Sequence, residues 1–280
     1  MPAAASRFRP GWGRAAEISA SEGRELFGLD PAGYAAGRPG YPAEIFETLE
    51  SRCGLSPGTP TLEIGSGGGQ ATGELLARGA QPLVAVEPNV ALADFLARRF
   101  GARVDVRRQP FEDVELPEAA FALAASATAF HWVDQQRGLE QLARVLRPGG
   151  WWAAWWTHYY DPEREDELYD ALTPILAPLS GFNPGGSTGL FSFDREARVA
   201  DLEGAGAFRD VAVAEVRWSL LLDPATARAL FGTFSTVLAL EKDEREDVLR
   251  RIERVLREDF GGSFRRTVVT ILYTAQRKPP

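Results

Sequence analysis

An α/β fold built on a doubly wound, mostly parallel sheet is predicted by three features of the sequence. Short apolar runs alternate with stretches of helical periodicity from residue 59 to about residue 157, the rhythm of βαβ units. The first of these runs ends in a glycine cluster, Gly65 to Gly69, where the next helix begins. The 280 residues, 45% apolar and 25% charged, suffice for one large α/β domain with an insertion, or for two small domains.

The elements follow in order. Residues 1 to about 40 are rich in Gly, Pro and Ala, with a helical stretch over Ala15–Phe27. Pro42 reads as the first helical residue of Pro42–Arg52, whose Ile45, Phe46 and Leu49 form a one-sided stripe. Thr59–Ile64 is a strand, Gln70–Arg78 a helix, Pro82–Val86 a strand, Val90–Phe100 a helix and Ala102–Val106 a strand. Ala119–Ala127 is a buried strand and Asp134–Leu146 an amphipathic helix stopped by Pro148-Gly149-Gly150. Trp151–Thr157 is a further buried strand. Beyond Tyr160 the reading is an acidic helix from Asp161 to about Pro178, a Gly/Pro/Asn loop over Gly181–Gly189, and a helix over Asp194–Ala205. Then come a strand over Ala212–Leu222, helices over Pro224–Leu240 and Glu241–Phe260, and a closing strand, Phe264–Gln276. Seven strands result.

Composition narrows the partners. A formal net charge of −8 argues against an extended phosphate-binding face, so no nucleic-acid partner is expected. The single cysteine, Cys53, allows neither an intrachain disulfide nor a cysteine-rich metal site. No segment approaches the roughly 20 apolar residues that span a bilayer, and Met1–Gly13 has no apolar core for secretion. The expectation is a cytoplasmic enzyme with no membrane partner, monomeric or homodimeric.

The informative stretch is Leu62-Glu63-Ile64-Gly65-Ser66-Gly67-Gly68-Gly69-Gln70. It lies at the first strand-to-helix turn, where an open parallel sheet holds its ligand. Glycines let the backbone turn sharply and a ligand approach without a Cβ in the way. Glu87 closes the next strand 22 positions after Gly65, near the distance at which an acid reaches a ribose hydroxyl pair. A dinucleotide fingerprint needs glycine where Gln70 stands, and no Gly-Lys-Ser/Thr is present for a nucleoside triphosphate.

At these residues the chain resembles class I S-adenosylmethionine-dependent methyltransferases. Glu63-Ile64-Gly65-Ser66-Gly67 is similar to that family's first motif, and Val84-Ala85-Val86-Glu87-Pro88 to its second-strand acid motif. Phe111-Glu112-Asp113 resembles the adenine-side segment, and Leu146-Arg147-Pro148-Gly149-Gly150-Trp151 the turn before the fifth strand. Tyr34 with Arg38-Pro39-Gly40-Tyr41-Pro42, and Ala129-Phe130-His131-Trp132-Val133-Asp134, resemble the type 11 subgroup that includes trans-aconitate methyltransferase. The likeness runs from about residue 27 to residue 277. It departs from the family at Gly68, where Thr or another small residue is common, and at Ala122, where an Asp usually follows the Phe; the second departure implies a missing polar anchor near the cofactor floor.

The resemblance implies a Rossmann-like sheet with an antiparallel last strand, and S-adenosyl-L-methionine as cofactor. It implies that Glu63, Gly65, Ser66, Gly67 and Gly69 hold the methionine end and Glu87 with Pro88 the ribose. Phe111 and Glu112 would serve the adenine side, Ser126 would also contact the cofactor, and Tyr34 and Arg38 would close over the site, Arg38 as a partner for a carboxylate. The acceptor would be a small molecule, a carboxylate or a natural-product-like compound. His131 and His158, the two histidines, follow the fourth and fifth strands; His131 is the candidate base, set against a role in shaping the pocket beside Trp132. Trp132, Trp156 and His158 are candidate acceptor contacts, while most of Trp151, Trp152, Trp155 and Trp156 belong to the core. No metal is expected, the run 163–167 reading as a solvated face. The expected organisation is an N-terminal lid over 1–40, a cofactor-binding core over 41–160, a cap over 161–206 and completion of the sheet over 207–280. Rival readings are an NAD-dependent oxidoreductase, a catalytically silent S-adenosylmethionine-binding protein, and a macromolecule methyltransferase.

Overall fold

The computed structural model describes residues 18–180 and 191–279; the start of the helix expected at Ala15 and the loop expected over 181–189 lie outside the described residues. The described residues form a seven-stranded sheet of order β3-β2-β1-β4-β5-β7-β6. β1 (Thr59–Ile64), β2 (Ala80–Val86), β3 (Asp105–Arg107), β4 (Phe121–Ala127) and β5 (Leu146–His158) are parallel. β7 (Phe264–Arg277) runs antiparallel to both its neighbours, β5 and the edge strand β6 (Phe208–Leu222). The sheet is the expected one, including the reversed last strand.

The chain enters through α1 (Ala20–Leu26), started by a capping box in which Ser19 and Glu22 satisfy each other's backbone N–H. α2 (Pro31–Gly37) was not expected, because its Ala/Gly composition carries no apolar stripe. Its start signal was nevertheless present: Pro31 opens it and Asp30 accepts from the Gly33 N–H at 2.9 Å. α3 (Ala43–Ser51) buries Ile45, Phe46 and Leu49 as predicted, but Pro42 is extended and stands before the first turn as its cap.

α3, α4 (Gln70–Ala77) and α5 (Val90–Phe100) cover one face of the sheet, with Leu75, Leu96 and Trp155 in a shared apolar cluster. α6 (Gln135–Val145) and α8 (Arg195–Gly204) cover the other, around Leu142, Trp152 and Leu202. Strand starts differ most from expectation at β3, β5 and β6, the last beginning at Phe208 in place of Ala212. Gly101–Arg103 form a 3₁₀ turn, leaving β3 three residues long. α6 ends at Val145 and β5 starts at Leu146, so Pro148-Gly149-Gly150, expected to stop the helix, is absorbed as an irregularity within the strand. Gly149 adopts φ +76, and a Cβ on Gly150 would lie 2.9 Å from the Arg147 carbonyl oxygen.

A third cluster lies beside the carboxyl ends of the parallel strands. α7 (Glu167–Leu176), α9 (Pro224–Phe231) and α11 (Lys242–Glu258) bury Leu172, Phe231 and Ile252 against Leu222 and Val268. These helices come from both sides of β6, whereas Leu202 of α8 packs into the sheet core, so the helical cap does not coincide with the 161–206 segment expected from sequence. The acidic helix starts later than Asp161, because that carboxylate caps the Glu163 N–H at 3.0 Å and pairs with Arg217 of β6 at 2.8 Å. The helix expected over 224–240 breaks at Gly232-Thr233 into α9 and a short α10 (Ser235–Leu238). No described helix is long and apolar enough to cross a membrane.

Asp166 anchors this cap to the sheet. It accepts from the Tyr169 N–H at the start of α7 and pairs at 2.6 Å with Arg266 of β7, which is 1% exposed. Removing one member of a buried ion pair strands the other charge in a low-dielectric interior. Asp166→Ala is therefore expected to lower unfolding free energy by about 3–5 kcal/mol in urea titration; a loss no larger than that of a surface substitution would contradict this.

Candidate functional site

A cavity of about 290 Å³ opens at the carboxyl ends of β1, β2, β4 and β5. Its floor is the glycine loop, its side wall the segments after β2 and β4, and its cover Phe27, Tyr34, Arg38 and Tyr41 of the N-terminal segment. The cap contributes Phe234 to Thr236.

The loop after β1 turns through three left-handed glycines, Gly65 (φ +70), Gly67 (φ +52) and Gly69 (φ +82). A Cβ on Gly65 would stand 2.3 Å from that of Ala129, so the loop and the segment after β4 meet backbone to side chain. Gly65, Ser66 and Gly67 line the cavity as predicted. Gly69 does not: it is the N-cap of α4, and a Cβ there would strike Phe100 and Leu96 of α5. Its glycine serves packing.

Glu87, at the end of β2, accepts from the Gly67 N–H at 2.8 Å and the Asn89 N–H at 3.0 Å. Burial pushes its carboxyl up to about 6, with the two backbone donors holding it back. Pro88, Phe111 and Glu112 complete that wall. One Glu112 oxygen accepts from the Asp134 N–H at 3.0 Å, while the other is buried with no hydrogen-bond partner. The Ser66 hydroxyl is likewise buried without a partner. Both residues line the cavity.

Two other predicted residues stand outside the cavity lining. Glu63 lies beneath the loop, 1% exposed, accepting from the Thr72 hydroxyl of α4 at 2.7 Å. Burial pushes its carboxyl up to about 8, opposed by that hydrogen bond. Ser126 donates to the Ile64 carbonyl at 2.9 Å and staples β4 to β1. Both face the interior and hold the loop's supports, although the second Glu63 oxygen, Oε1, is buried without a hydrogen-bond partner. Ala122 is five residues before the end of β4, about 17 Å of extended chain from the cavity edge. The departure there removes nothing from the cavity.

Over the site, Tyr34 lies across Gly67, with 3.5 Å between its ring and the position a Cβ would take on that glycine. Gln70 donates to the Ala35 carbonyl at 3.0 Å, tying α2 to the loop. Arg38 is surrounded by the rings of Tyr34, Tyr159 and Phe234, each 5.3–5.5 Å from its guanidinium carbon. It donates to the Thr233 carbonyl at 3.0 Å, an acceptor left open by the break between α9 and α10, and its Nε is buried without a partner. Trp132 lines the cavity, edge-on to Phe27.

His131 lines the cavity on a 3₁₀ turn over Phe130–Trp132. Its Nδ1 accepts from the Trp156 indole N–H at 2.9 Å, and burial, with the fields of His158 and Arg38, lowers its pKa to about 3. That bond engages the ring lone pair a base would use, which favours the pocket-shaping reading of His131 over the base. Trp156 is 5% exposed and does not line the cavity, so it supports His131 in place of meeting an acceptor. His158 does line it; its Nε2 lies 2.5 Å from the Ser192 hydroxyl, and burial lowers its pKa to about 4. Tyr273 of β7 fixes that serine by donating to its carbonyl at 2.6 Å.

Several lining residues were not singled out from sequence: Arg24, Phe27, Thr128, Tyr159 and residues 234–236; Tyr41 was quoted within a motif but given no role. Thr128 carried no usable signal, yet it adopts φ +53 at the end of β4, a conformation uncommon outside glycine.

Residues 62–154 match the family described as methyltransferase domain. An uncharacterised methyltransferase of Schizosaccharomyces pombe is 32% identical over 124 residues, 44% of this chain and 49% of that protein. An uncharacterised methyltransferase of Mycobacterium tuberculosis is 34% identical over the same shares. The chain thus spans about half the length of the curated relatives it matches. Among solved structures, a candidate type II methyltransferase from Anaeromyxobacter dehalogenans superposes with a TM-score of 0.58 at 26% identity, over 87% of this chain and 99% of that one. Phosphoethanolamine N-methyltransferase 2 of Haemonchus contortus gives a TM-score of 0.54 at 15% identity, over 90% of this chain and 57% of that one, a likeness of fold.

The buried carboxyls give a pH signature. Glu63 ionises near 4.5 when unfolded and near 8 when folded, so in between the folded state keeps a proton that the unfolded state releases. Stability then falls as pH rises through that window. The buried histidines act oppositely, but their effect is complete above 6.5. Between pH 6.5 and 8 the melting temperature of the ligand-free protein should decline, and Glu63→Gln should remove most of the decline. Equal slopes in both proteins would contradict the assignment.

Proposed function

We propose that this chain is an S-adenosyl-L-methionine-dependent methyltransferase acting on a small molecule. The observation that carries the reading is Glu87, a buried carboxylate hydrogen-bonded to the glycine loop and lining the cavity at the end of β2. Each of its oxygens takes one backbone N–H, leaving lone pairs for a ribose hydroxyl pair. The Ser66 hydroxyl and the Glu112 Oε2 fit the same ligand, each being a buried polar atom in the lining that lacks a partner. The methyltransferase-domain match over the loop and the strands supports it further.

The bound cofactor would supply a methyl group on a sulfonium, an electrophile that needs no activation by the protein. The chain's own task is then to bind, orient and exclude water. In this reading Gly65 to Gly67 receive the amino-acid end, Glu87 the ribose and Glu112 the adenine side. Tyr34 and Trp132 cover the site. Arg38, with an unpartnered Nε and no acidic partner among the described ion pairs, suits a carboxylate. Both histidines in the lining are engaged through a ring nitrogen, which favours an acceptor already nucleophilic at neutral pH, such as a carboxylate oxygen. The trans-aconitate-like subgroup and a carboxylate acceptor are accordingly the finer form of the proposal.

Calorimetry with S-adenosylhomocysteine should show a single site. Hydrogen bonds to a charged group contribute about 1.5–3 kcal/mol, so Glu87→Ala should weaken binding about tenfold or more. Gly67→Val should cost more in cofactor affinity than His131→Ala costs in turnover. Methyl transfer from labelled S-adenosylmethionine should appear within a panel of organic acids. Preferential binding of NAD, or binding with no transfer to any acceptor class, would contradict the proposal.

A further inference from the structure

Buried Trp156 and half-buried His131 form a pair whose chemistry follows from what each can donate. The indole N–H is a donor only, so the His131 Nδ1 that receives it at 2.9 Å must carry a lone pair. A neutral imidazole has one N–H, which therefore resides on Nε2. We propose that Trp156 is a positioning residue that holds His131 as an Nε2–H donor toward the acceptor, so that the ring recognises a hydrogen-bond-accepting atom and takes no proton from it. The second half of this statement rests on the methyltransferase reading; the tautomer does not.

The surroundings leave the ring little choice. His131 is flanked by Trp132, Trp156 and Phe191, with ring centroids 5.1, 6.5 and 6.2 Å away, none of them ionisable in the working range. The titratable and charged groups whose fields reach it, His158 and Arg38, both disfavour a second proton. Protonating Nδ1 would set one N–H against another and deprive the indole of Trp156, a residue 5% exposed, of its acceptor. Trp156 is itself held edge-on by Tyr273 of β7, at 6.0 Å and 80°, so it cannot easily follow a rotated imidazole. Nε2 has no partner among the described residues and belongs to a ring that lines the cavity. With Arg38 also in the lining, the acceptor side offers two donors, and the acceptor must bring its own nucleophilic electron pair.

Long-range ¹H–¹⁵N spectra of the labelled full chain test this directly, since it contains two histidines and one His158→Gln spectrum assigns them. His131 should show a bare Nδ1 and a protonated Nε2 at pH 7, unchanged down to pH 5. A proton on Nδ1, or an imidazolium forming between pH 5 and 7, would overturn the proposal. In Trp156→Phe the fixed tautomer should give way to averaged nitrogen shifts and titration at higher pH; unchanged shifts would overturn the positioning role. Should that variant not fold, a through-hydrogen-bond coupling between the Trp156 Nε1 and the His131 Nδ1 in the unaltered protein supports the bond by its presence and overturns it by its absence. S-adenosylhomocysteine binding, measured in parallel, separates the two readings: its loss in the unaltered protein would sink the methyltransferase proposal while leaving the tautomer measurement standing.

Discussion

The Glu87 carboxylate receives the Gly67 N–H on one oxygen and the Asn89 N–H on the other, and much of the site is built outward from that pair of bonds. The first bond sets the glycine loop against the end of β2. The second positions Asn89, whose side chain caps α5 through the Leu92 N–H and also donates to the carbonyls of Arg24 and Glu25 in α1. One buried carboxylate thereby links the loop, a helix start and the N-terminal cover. Two backbone donors make its ionised form tolerable in a site that burial would otherwise neutralise.

Close approach does the remaining work, and it explains several glycines that are not in the loop's first turn. A Cβ on Gly68 would lie 2.9 Å from Ala35 of α2, and one on Gly23 would lie 2.5 Å from the Trp132 ring. A Cβ on Gly37 would meet the Ala229 carbonyl of α9 at 2.4 Å. The N-terminal helices therefore rest on the loop, on the segment after β4 and on the cap at the same time. Arg38 sits where these meet, hydrogen-bonded to the carbonyl at the break between α9 and α10. There it is a cation in an aromatic setting with one donor still open, the feature on which the proposed carboxylate acceptor rests.

The sheet was legible because its strands are apolar and its helices periodic, so Thr59–Ile64 and Val90–Phe100 agree with prediction to the residue. The loop and Glu87 were legible because spacing after a parallel strand fixes which residues reach the carboxyl edge, whereas the Phe111-Glu112 wall was implied by the family resemblance alone. Spacing does not say which way a side chain turns within that edge. Glu63 and Ser126 are near it in sequence but face the interior, and Trp156 shares the buried face of Trp152. α2 was missed because an Ala/Gly helix has no stripe to betray it, and the cap because its helices come from both sides of β6. Ala122 was read as a loss near the cofactor floor; the strand's length places it at the opposite end.

In the proposed function, Glu87 and the glycine loop form a nucleoside site whose sulfur end faces the acceptor side of the same cavity. A crystal structure of the full chain with S-adenosylhomocysteine tests it most directly. Both ribose hydroxyls are expected on the Glu87 carboxylate, the adenine beside Glu112, and the sulfur directed toward the part of the cavity lined by Arg38, His131 and Tyr159. Density for the nucleoside elsewhere, or a ribose that bypasses Glu87, would contradict it.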